Sequence, residues 1–266
     1  MSVDGTASGD GEYTLVDVGG YRLAIHCIGE GSPTVVLETG LGAPSEYWAP
    51  IQQEIAGLTR VCLFDRAGRG KSDPAPTTPR TCADMVADLR NLLHDASIPA
   101  PYVLVGNSLG GMNARLYAYQ HPEEVAGLVL VDGSHQDQFT RSVEALPEPG
   151  PDSPDSHKSF YHFWAGGGWM DPANNAENVD FVRSGEQLRA IHSLGDLPVV
   201  VLASGAFLRQ APTMHEIWQD LQRDLANLSS NSVYSVVESS GHFIQRDRPE
   251  VVVDAIRRIL DSFLQA

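Results

Sequence analysis

The fold is decided by the stretch YVLVGNSLGG at residues 102–111, where an apolar run leads into a serine flanked by glycines. The β-branched and aromatic residues of the run are typical of a strand that is buried on both faces. Apolar residues then recur at spacings of three and four, which predicts a helix. Such a turn holds Ser108 in a strained conformation, and Gly106 and Gly110 leave room for the helix to approach the strand. An ordinary glycine-rich turn is the alternative interpretation.

The length and net charge of the chain limit its domain organisation and its partners. The 266 residues suit one large α/β domain with an insertion. No run of about 18 apolar residues exists, so we expect no membrane span. Residues 1–11 are polar and glycine-rich, without the features of a secretory signal, and are predicted to be a disordered tail. With 34 acidic and 18 basic residues, the net charge of −16 argues against nucleic acid or an anionic membrane as a partner.

The cysteines and histidines do not indicate a cofactor. The three cysteines are an odd number, and none of them forms a C-x-x-C pair for metal or redox chemistry. Cys27 and Cys62 lie in predicted strands, so we expect them to be reduced and buried in a cytoplasmic protein. No histidine or carboxylate cluster has metal-ligand spacing, and no G-x-G-x-x-G follows a strand. The sequence therefore predicts neither a metal nor a dinucleotide.

Strands alternate with helical patterns along most of the chain. The predicted strands are Tyr13–Val18, Tyr21–Ile28, Thr34–Glu38, Val61–Phe64, Tyr102–Val105, Gly127–Val131, Leu197–Leu202 and Ser232–Val237. This alternation predicts an α/β protein with a mostly parallel eight-stranded sheet and helices on both faces. Functional residues in such sheets follow the carboxyl ends of the strands. The pattern breaks only over residues 134–195, which are rich in proline and aromatic residues.

The order of these elements resembles the α/β-hydrolase fold, from about residue 13 to residue 264. The strongest pieces are GNSLGG at residues 106–111, DRAGRGKS at residues 65–72 and GHF at residues 241–243. The first of these contains the pattern G-x-S-x-G, whose serine is the nucleophile in hydrolases of this fold. The resemblance therefore implies a hydrolase with Ser108 as its nucleophile.

The resemblance also implies a division of the chain. Residues 12–133 and 196–266 are expected to form the hydrolase core, and residues 134–195 are expected to form a cap inserted after the sixth strand. If the cap closes over the site, some of its aromatic residues line an apolar pocket, although they could equally form the cap's own small core. The aromatic residues assigned to substrate binding are Phe163, Trp164 and Trp169.

His242 is the predicted general base. A serine hydroxyl is a poor nucleophile at neutral pH and needs an adjacent base that is oriented by a third group. His242 follows the last strand, whereas the other histidines lie in predicted strands, in helices, in the insertion or just beyond it. A solvated loop histidine is the alternative.

Asp132 is the predicted acid of the triad because it follows the sixth strand, a placement that some members of the family use. Its carboxylate would fix the imidazole tautomer and stabilise the imidazolium. The family's acid more often follows the seventh strand, but the loop at residues 203–208 has no carboxylate. Glu216 and Asp220 are the alternatives, and Asp132 could instead cap a turn.

The oxyanion is expected to be held by the backbone N–H groups of Leu41 and Leu109. Histidine usually precedes the nucleophile in this family, where this chain has Asn107. Because the oxyanion contacts are made by the main chain, this departure does not alter the predicted chemistry. Asp65 and Arg66 are expected to form a buried ion pair that pins the loop beside the site, and a contact with the substrate is the alternative.

These residues predict a cofactor-independent serine hydrolase. It would cleave a carboxylic ester or lactone of a small hydrophobic molecule through an acyl-enzyme on Ser108. The serine disfavours the activities of relatives that use an aspartate nucleophile. A carbon–carbon bond hydrolase or perhydrolase with the same triad is one alternative, and a ligand-binding receptor on a hydrolase scaffold is another.

Overall fold

A computed structural model describes residues 13–146 and 148–265, and one eight-stranded sheet runs through this part of the chain. The predicted tail at residues 1–11 lies outside the described residues. The strands are β1 (Thr14–Asp17), β2 (Arg22–Ile28), β3 (Thr34–Glu38), β4 (Val61–Asp65), β5 (Tyr102–Asn107), β6 (Val125–Val131), β7 (Val199–Ser204) and β8 (Ser232–Val237). Their order in the sheet is β1-β2-β4-β3-β5-β6-β7-β8. Within this sheet the β1–β2 and β2–β4 pairs are antiparallel, and the other pairs are parallel.

Helices cover both faces of the sheet. The α-helices of the described chain are α1 (Ala49–Ile55), α2 (Cys82–Asp95), α3 (Leu109–Gln120), α4 (Gln138–Ser142), α5 (Asp155–Trp164), α6 (Phe181–Arg189), α7 (Pro212–Ala226), α8 (Ile244–Asp247) and α9 (Pro249–Leu264). The apolar faces of α1 and α9 pack on one side of the sheet, and those of α2, α3 and α7 pack on the other. The predicted α/β class, with its mostly parallel eight-stranded sheet, is confirmed.

The central strand β5 shows why the apolar runs are continuous. Val103 and Val105 face the core beneath α1 and α9, whereas Tyr102 and Leu104 face the core beneath α2 and α3. All four side chains are buried, because successive residues of a strand point to opposite faces. Each buried aliphatic side chain of this kind contributes about 1.5–3 kcal/mol to folding.

The segment at residues 134–195, here called the insertion, follows β6 and contains α4, α5 and α6. Its aromatic side chains gather around Phe139, which stacks on Trp169 at a centroid distance of 4.6 Å. Phe163 and Phe181 meet the same ring edge-on. This cluster is continuous with the core beneath α2 and α3. The division of the chain into a core and a cap stays a prediction.

Cys27 and Cys62 form a disulfide bond, so the expectation that both are reduced was wrong. They are register partners in the antiparallel pairing of β2 with β4, and their Cα atoms are 4.1 Å apart. Strand pairing creates this proximity, which the spacing of the cysteines does not reveal. Cys82 is free and buried. Because disulfides persist mainly in oxidising compartments, the predicted cytoplasmic location loses one of its supports and stays a prediction.

No helix in the described part of the chain combines the length and the apolar character that a membrane crossing requires.

The close approach of α3 to β5 generates a stability prediction. A Cβ atom on Gly106 would lie 2.3 Å from the carbonyl carbon of Gly110, so main chain would have to move. We expect Gly106→Ala to lower the free energy of unfolding by about 3 kcal/mol. Gly150→Ala is the control, because a Cβ atom there meets nothing within 4 Å. Denaturant titration followed by circular dichroism measures both variants, and equal midpoints would contradict the prediction.

Candidate active site

Ser108 occupies the turn between β5 and α3 with φ 52° and ψ −117°, a conformation that non-glycine residues rarely adopt. Hydrogen bonds hold this strained backbone in place. The Ser108 carbonyl accepts from the N–H of Gly111 at 3.0 Å and from the N–H of Ser134 at 2.9 Å. The turn therefore presents the serine at the carboxyl edge of the sheet, as the sequence predicted.

Asp132 lies directly after β6 and is fully buried. Its Oδ2 atom is 2.6 Å from Nδ1 of His242. Its Oδ1 atom accepts from the Ser204 N–H at 2.8 Å and from the indole N–H of Trp218 at 2.9 Å. These partners come from three different segments of the chain, and together they satisfy a carboxylate that would otherwise be costly to bury.

The structure pairs His242 with Asp132 rather than with the alternative acids. Asp220 is about half exposed and accepts from Arg223 at 2.6 Å. Glu216 makes no hydrogen bond to His242 among the described residues. With Nδ1 directed at the buried carboxylate, the imidazole keeps Nε2 for the cavity that it shares with Ser108.

Aromatic side chains fix the plane of the imidazole. Phe207 stacks on His242 with ring centroids 4.7 Å apart and planes inclined by 26°. Trp218 meets the same ring edge-on at 5.8 Å. Because the ring is held on two sides as well as through Nδ1, its orientation does not depend on the hydrogen bond alone.

Asn107 connects the three segments that carry these groups. The side chain is fully buried, and its Nδ2 donates to the carbonyl of Val131 at 2.8 Å and to the carbonyl of His242 at 3.1 Å. Val131 directly precedes Asp132, and Asn107 directly precedes Ser108. One amide therefore ties the serine, acid and histidine segments together. Sequence reasoning noted this residue only as a departure from histidine.

The Ser108 hydroxyl points toward Ser134, and the two Oγ atoms are 3.2 Å apart. Among the hydrogen bonds of the described residues, none joins Ser108 to His242. Catalytic hydrogen bonds are often long in unliganded sites and tighten in the complex. Either hydroxyl can be the donor in this contact, so the Ser108 proton is free for transfer when Ser134 donates, or when the Ser108 hydroxyl turns away. The sequence did not predict Ser134 as a neighbour.

Ser108 and His242 share one cavity of about 130 Å³. Its other lining residues, mostly apolar, are Leu41, Leu109, Ser134, Gln138, Phe139, Phe163, Trp164, Phe181, Phe207 and Trp218. The cavity therefore combines two polar groups that can react with a mostly aromatic wall.

Of the three aromatic residues predicted to bind substrate, two line the cavity and one does not. Phe163 and Trp164 line the cavity. Trp169 does not belong to the lining, because it stacks on Phe139 instead of reaching the cavity itself. Sequence reasoning missed Phe207 and Trp218 because both lie beyond the insertion. Phe207 could have been predicted from its position in the loop after β7, because functional residues follow the carboxyl ends of the strands.

Leu41 and Leu109 also line the cavity. Leu109 is the first residue of α3, so its N–H has no acceptor within the helix. Leu41 belongs to the loop at residues 39–42, here called the oxyanion loop. The two predicted oxyanion donors are thus brought to the same cavity as Ser108.

Arg66 holds the oxyanion loop, but not through the predicted ion pair. Its guanidinium donates to the carbonyls of Thr39 at 2.7 Å and Gly40 at 3.0 Å. Its carboxylate partners are Glu177 at 2.7 Å and Glu38 at 3.4 Å. The predicted pairing with Asp65 was wrong, since adjacent residues at the end of a strand point to opposite sides.

Asp65 instead accepts from the main-chain N–H of Lys71 at 2.9 Å. It therefore shapes the loop after β4 rather than neutralising Arg66.

The groups that could bind a metal lie elsewhere. Among the described residues, His121, Glu123 and Glu124 have ligand atoms within 4.8 Å of one another. They precede β6 and so lie at the opposite end of that strand from Asp132. Glu124 already accepts hydrogen bonds from Arg90 and Tyr117.

Trp218 provides a test of how Asp132 is held. Trp218→Phe removes one donor to a buried carboxylate, and we expect it to cost about 1.5–3 kcal/mol of unfolding free energy. Trp48→Phe is the matched control, because Trp48 is also buried and its indole N–H has no partner among the described residues. Urea unfolding at neutral pH measures both. Losses of the same size would show that the bond to Asp132 contributes nothing.

Glu38 generates a pH prediction. Burial raises the pKa of Glu38 from its ordinary value of 4.5 to about 7, although Arg66 and Asn113 oppose the rise. A carboxyl whose pKa is raised on folding contributes stability below pH 4.5, and this contribution is lost as the pH rises through about 7.

We therefore expect the wild type to lose stability on the order of 3 kcal/mol as the pH rises from 4.5 to about 7. Glu38→Gln cannot ionise, so we expect the variant not to show this loss. Unfolding midpoints measured from about pH 4 to about pH 8 test this, and parallel curves for the variant and the wild type would contradict it.

Comparison with known proteins agrees with this architecture. The sequence profile of the alpha/beta hydrolase fold matches residues 33–182. The uncharacterized protein YqjL of Bacillus subtilis (strain 168) is 32% identical over 233 residues, which are 87% of this chain and 85% of that protein.

Two further similarities concern proteins with named activities. A 2-hydroxy-6-oxononadienedioate/2-hydroxy-6-oxononatrienedioate hydrolase of Cupriavidus pinatubonensis (strain JMP 134 / LMG 1197) is 33% identical over 134 residues, 48% of this chain and 46% of that protein. The structure of a thermophilic esterase from Thermogutta terrifontis superposes with a TM-score of 0.64 at 21% identity, covering 94% of this chain and 98% of that one. The chain belongs to the alpha/beta hydrolase fold family.

Proposed function

We propose that the protein is a serine hydrolase that cleaves a carboxylic ester or lactone of a small hydrophobic molecule. The observation that carries this proposal is the contact of 2.6 Å between Nδ1 of His242 and the buried carboxylate of Asp132, because the same histidine lines a cavity together with Ser108. The esterase named above has the same fold, and a sequence relative is named as a hydrolase.

The residues divide the chemistry between them. Ser108 Oγ attacks the carbonyl carbon while His242 Nε2 takes its proton, and Asp132 stabilises the resulting imidazolium. The oxyanion accepts hydrogen bonds from the N–H groups of Leu41 and Leu109. The C–O bond to the alcohol then breaks, and the alcohol leaves with the proton from His242. Water, deprotonated by His242, attacks the acyl-enzyme and releases the acid, so no cofactor takes part.

The cavity supports a small substrate. Its volume of about 130 Å³ is below the range of roughly 300–1,000 Å³ that is usual for drug-sized ligands. Phe163 and Trp164 from the insertion and Phe207 from the loop after β7 favour an apolar acyl or alcohol group. We expect no nucleic-acid or anionic-membrane partner, because the net charge of −16 would repel both.

Ester hydrolysis tests the proposal. We expect Ser108→Ala to lower kcat for short nitrophenyl esters and lactones by at least about 10³-fold, because the nucleophile is lost. Ser230→Ala is the control: Ser230 is exposed, precedes β8 and donates to the carbonyl of Gly195. A fluorophosphonate should label Ser108, as located by mass spectrometry. Equal turnover by the wild type and Ser108→Ala would remove the proposed function.

A further inference from the structure

Glu177, a residue of the insertion, is buried against the oxyanion loop. Its side chain is only 2% exposed. Oε1 accepts from the N–H of Gly42 at 2.7 Å and from Nη2 of Arg66 at 2.7 Å, and Oε2 accepts from Nε of Arg66 at 2.8 Å. The carboxylate thus binds Arg66 through two parallel bonds and also holds the main chain one residue beyond Leu41.

Arg66 transmits this contact to the peptide that carries the Leu41 N–H. Nη2 of Arg66 donates to the carbonyl oxygen of Gly40 at 3.0 Å. That carbonyl and the Leu41 N–H belong to one planar trans peptide and point in opposite directions. Fixing the Gly40 oxygen therefore fixes the direction of the Leu41 N–H. Nη1 of Arg66 holds the preceding peptide through the carbonyl of Thr39 at 2.7 Å.

The segment that carries Glu177 is anchored without the carboxylate. The side chain of Asn175 accepts from the N–H of Val179 at 2.9 Å and donates to its carbonyl at 2.9 Å. The main chain of Arg80 bonds to Asn178 at 2.9 Å and to Asp180 at 2.8 Å. Removal of the Glu177 carboxylate would therefore leave the path of this segment in place.

This arrangement is weak evidence for a purely stabilising role. One guanidinium lies between two buried carboxylates, Glu38 and Glu177. Burying such charges costs desolvation energy that their mutual attraction often fails to recover, so they are weak evidence for stability. What they do accomplish is to orient two consecutive peptides at the cavity that contains Ser108.

We propose that Glu177 is a positioning residue for the oxyanion hole: through Arg66 and Gly42 it aims the Leu41 N–H at the reacting carbonyl oxygen. This inference rests on the proposed serine hydrolase function. It makes the insertion a contributor to transition-state stabilisation as well as a wall of the cavity.

Glu177→Gln tests the inference, because it keeps the size of the side chain and an acceptor for Gly42 but removes the charge that holds Arg66. We expect kcat for a nitrophenyl ester to fall by about 10- to 100-fold with KM changed less than about twofold, a smaller effect than the loss of a whole oxyanion donor. Affinity for a trifluoromethyl ketone, which forms an oxyanion on Ser108, should fall in parallel. Glu177→Asp should be intermediate.

Asp180→Asn is the matched control. It removes a carboxylate from the same segment, one that caps α6 by accepting from the Arg183 N–H at 2.9 Å. We expect its kcat and ketone affinity to stay within about twofold of the wild type, because this carboxylate does not contact the oxyanion loop. Rates are expressed per site labelled to completion by a fluorophosphonate, so that misfolded protein is not counted.

The outcomes separate the two proposals. If the wild type is labelled and hydrolyses esters, but Glu177→Gln matches Asp180→Asn per labelled site, Glu177 does not position the oxyanion hole and the proposed function stands. A change in KM alone leads to the same conclusion. A wild type that neither hydrolyses esters nor is labelled at Ser108 overturns both proposals.

Discussion

The buried carboxylate of Asp132 is the group on which the arrangement of the site depends. It is completely removed from solvent, yet it accepts from the main chain at the last residue of β7, from the indole of Trp218 on α7, and from His242 after β8. Each donor lowers the cost of burying the charge, and each is delivered by a different element. A chain that satisfies this carboxylate has therefore also brought its histidine to the carboxyl edge of the sheet.

The order of strands makes this convergence possible. Strands β5, β6, β7 and β8 are parallel neighbours, so their carboxyl ends meet at one edge. Asn107, at the end of β5, then links the end of β6 and the loop after β8 by donating to the carbonyls of Val131 and His242. A histidine at this position could not make both bonds from one nitrogen, because an imidazole nitrogen carries at most one N–H and an amide nitrogen carries two. The asparagine therefore has a structural use here, where the family commonly has histidine.

Two groups of charged side chains lie near the cavity, on different sides of it. The Asp132–His242 pair lies on the side of β7 and β8, where charge would move during a reaction. Arg66, with its partners Glu38 and Glu177, lies on the side of β3 and β4, where its guanidinium bonds to the main chain of the oxyanion loop. Phe139, Phe163 and Phe181 from the insertion line the same cavity.

The sequence alone predicted the features that depend on residues close together in the chain. Apolar runs located the strands, and those of the central strands are continuous because burial on both faces leaves no alternation. Close packing of β5 on α3 requires the glycines around Ser108, and the strand-end rule selected Asp132 and His242 as candidates. These features depend on a residue and its near neighbours in the chain.

Only the tertiary structure decided which distant groups meet. It paired Cys27 with Cys62 through strand register, gave Arg66 the partners Glu38 and Glu177 in place of Asp65, and left Trp169 behind the cavity wall. Spacing along the chain carries no information about such contacts. They are set by the direction in which each side chain leaves its strand or loop, and by which element folds back to cover it.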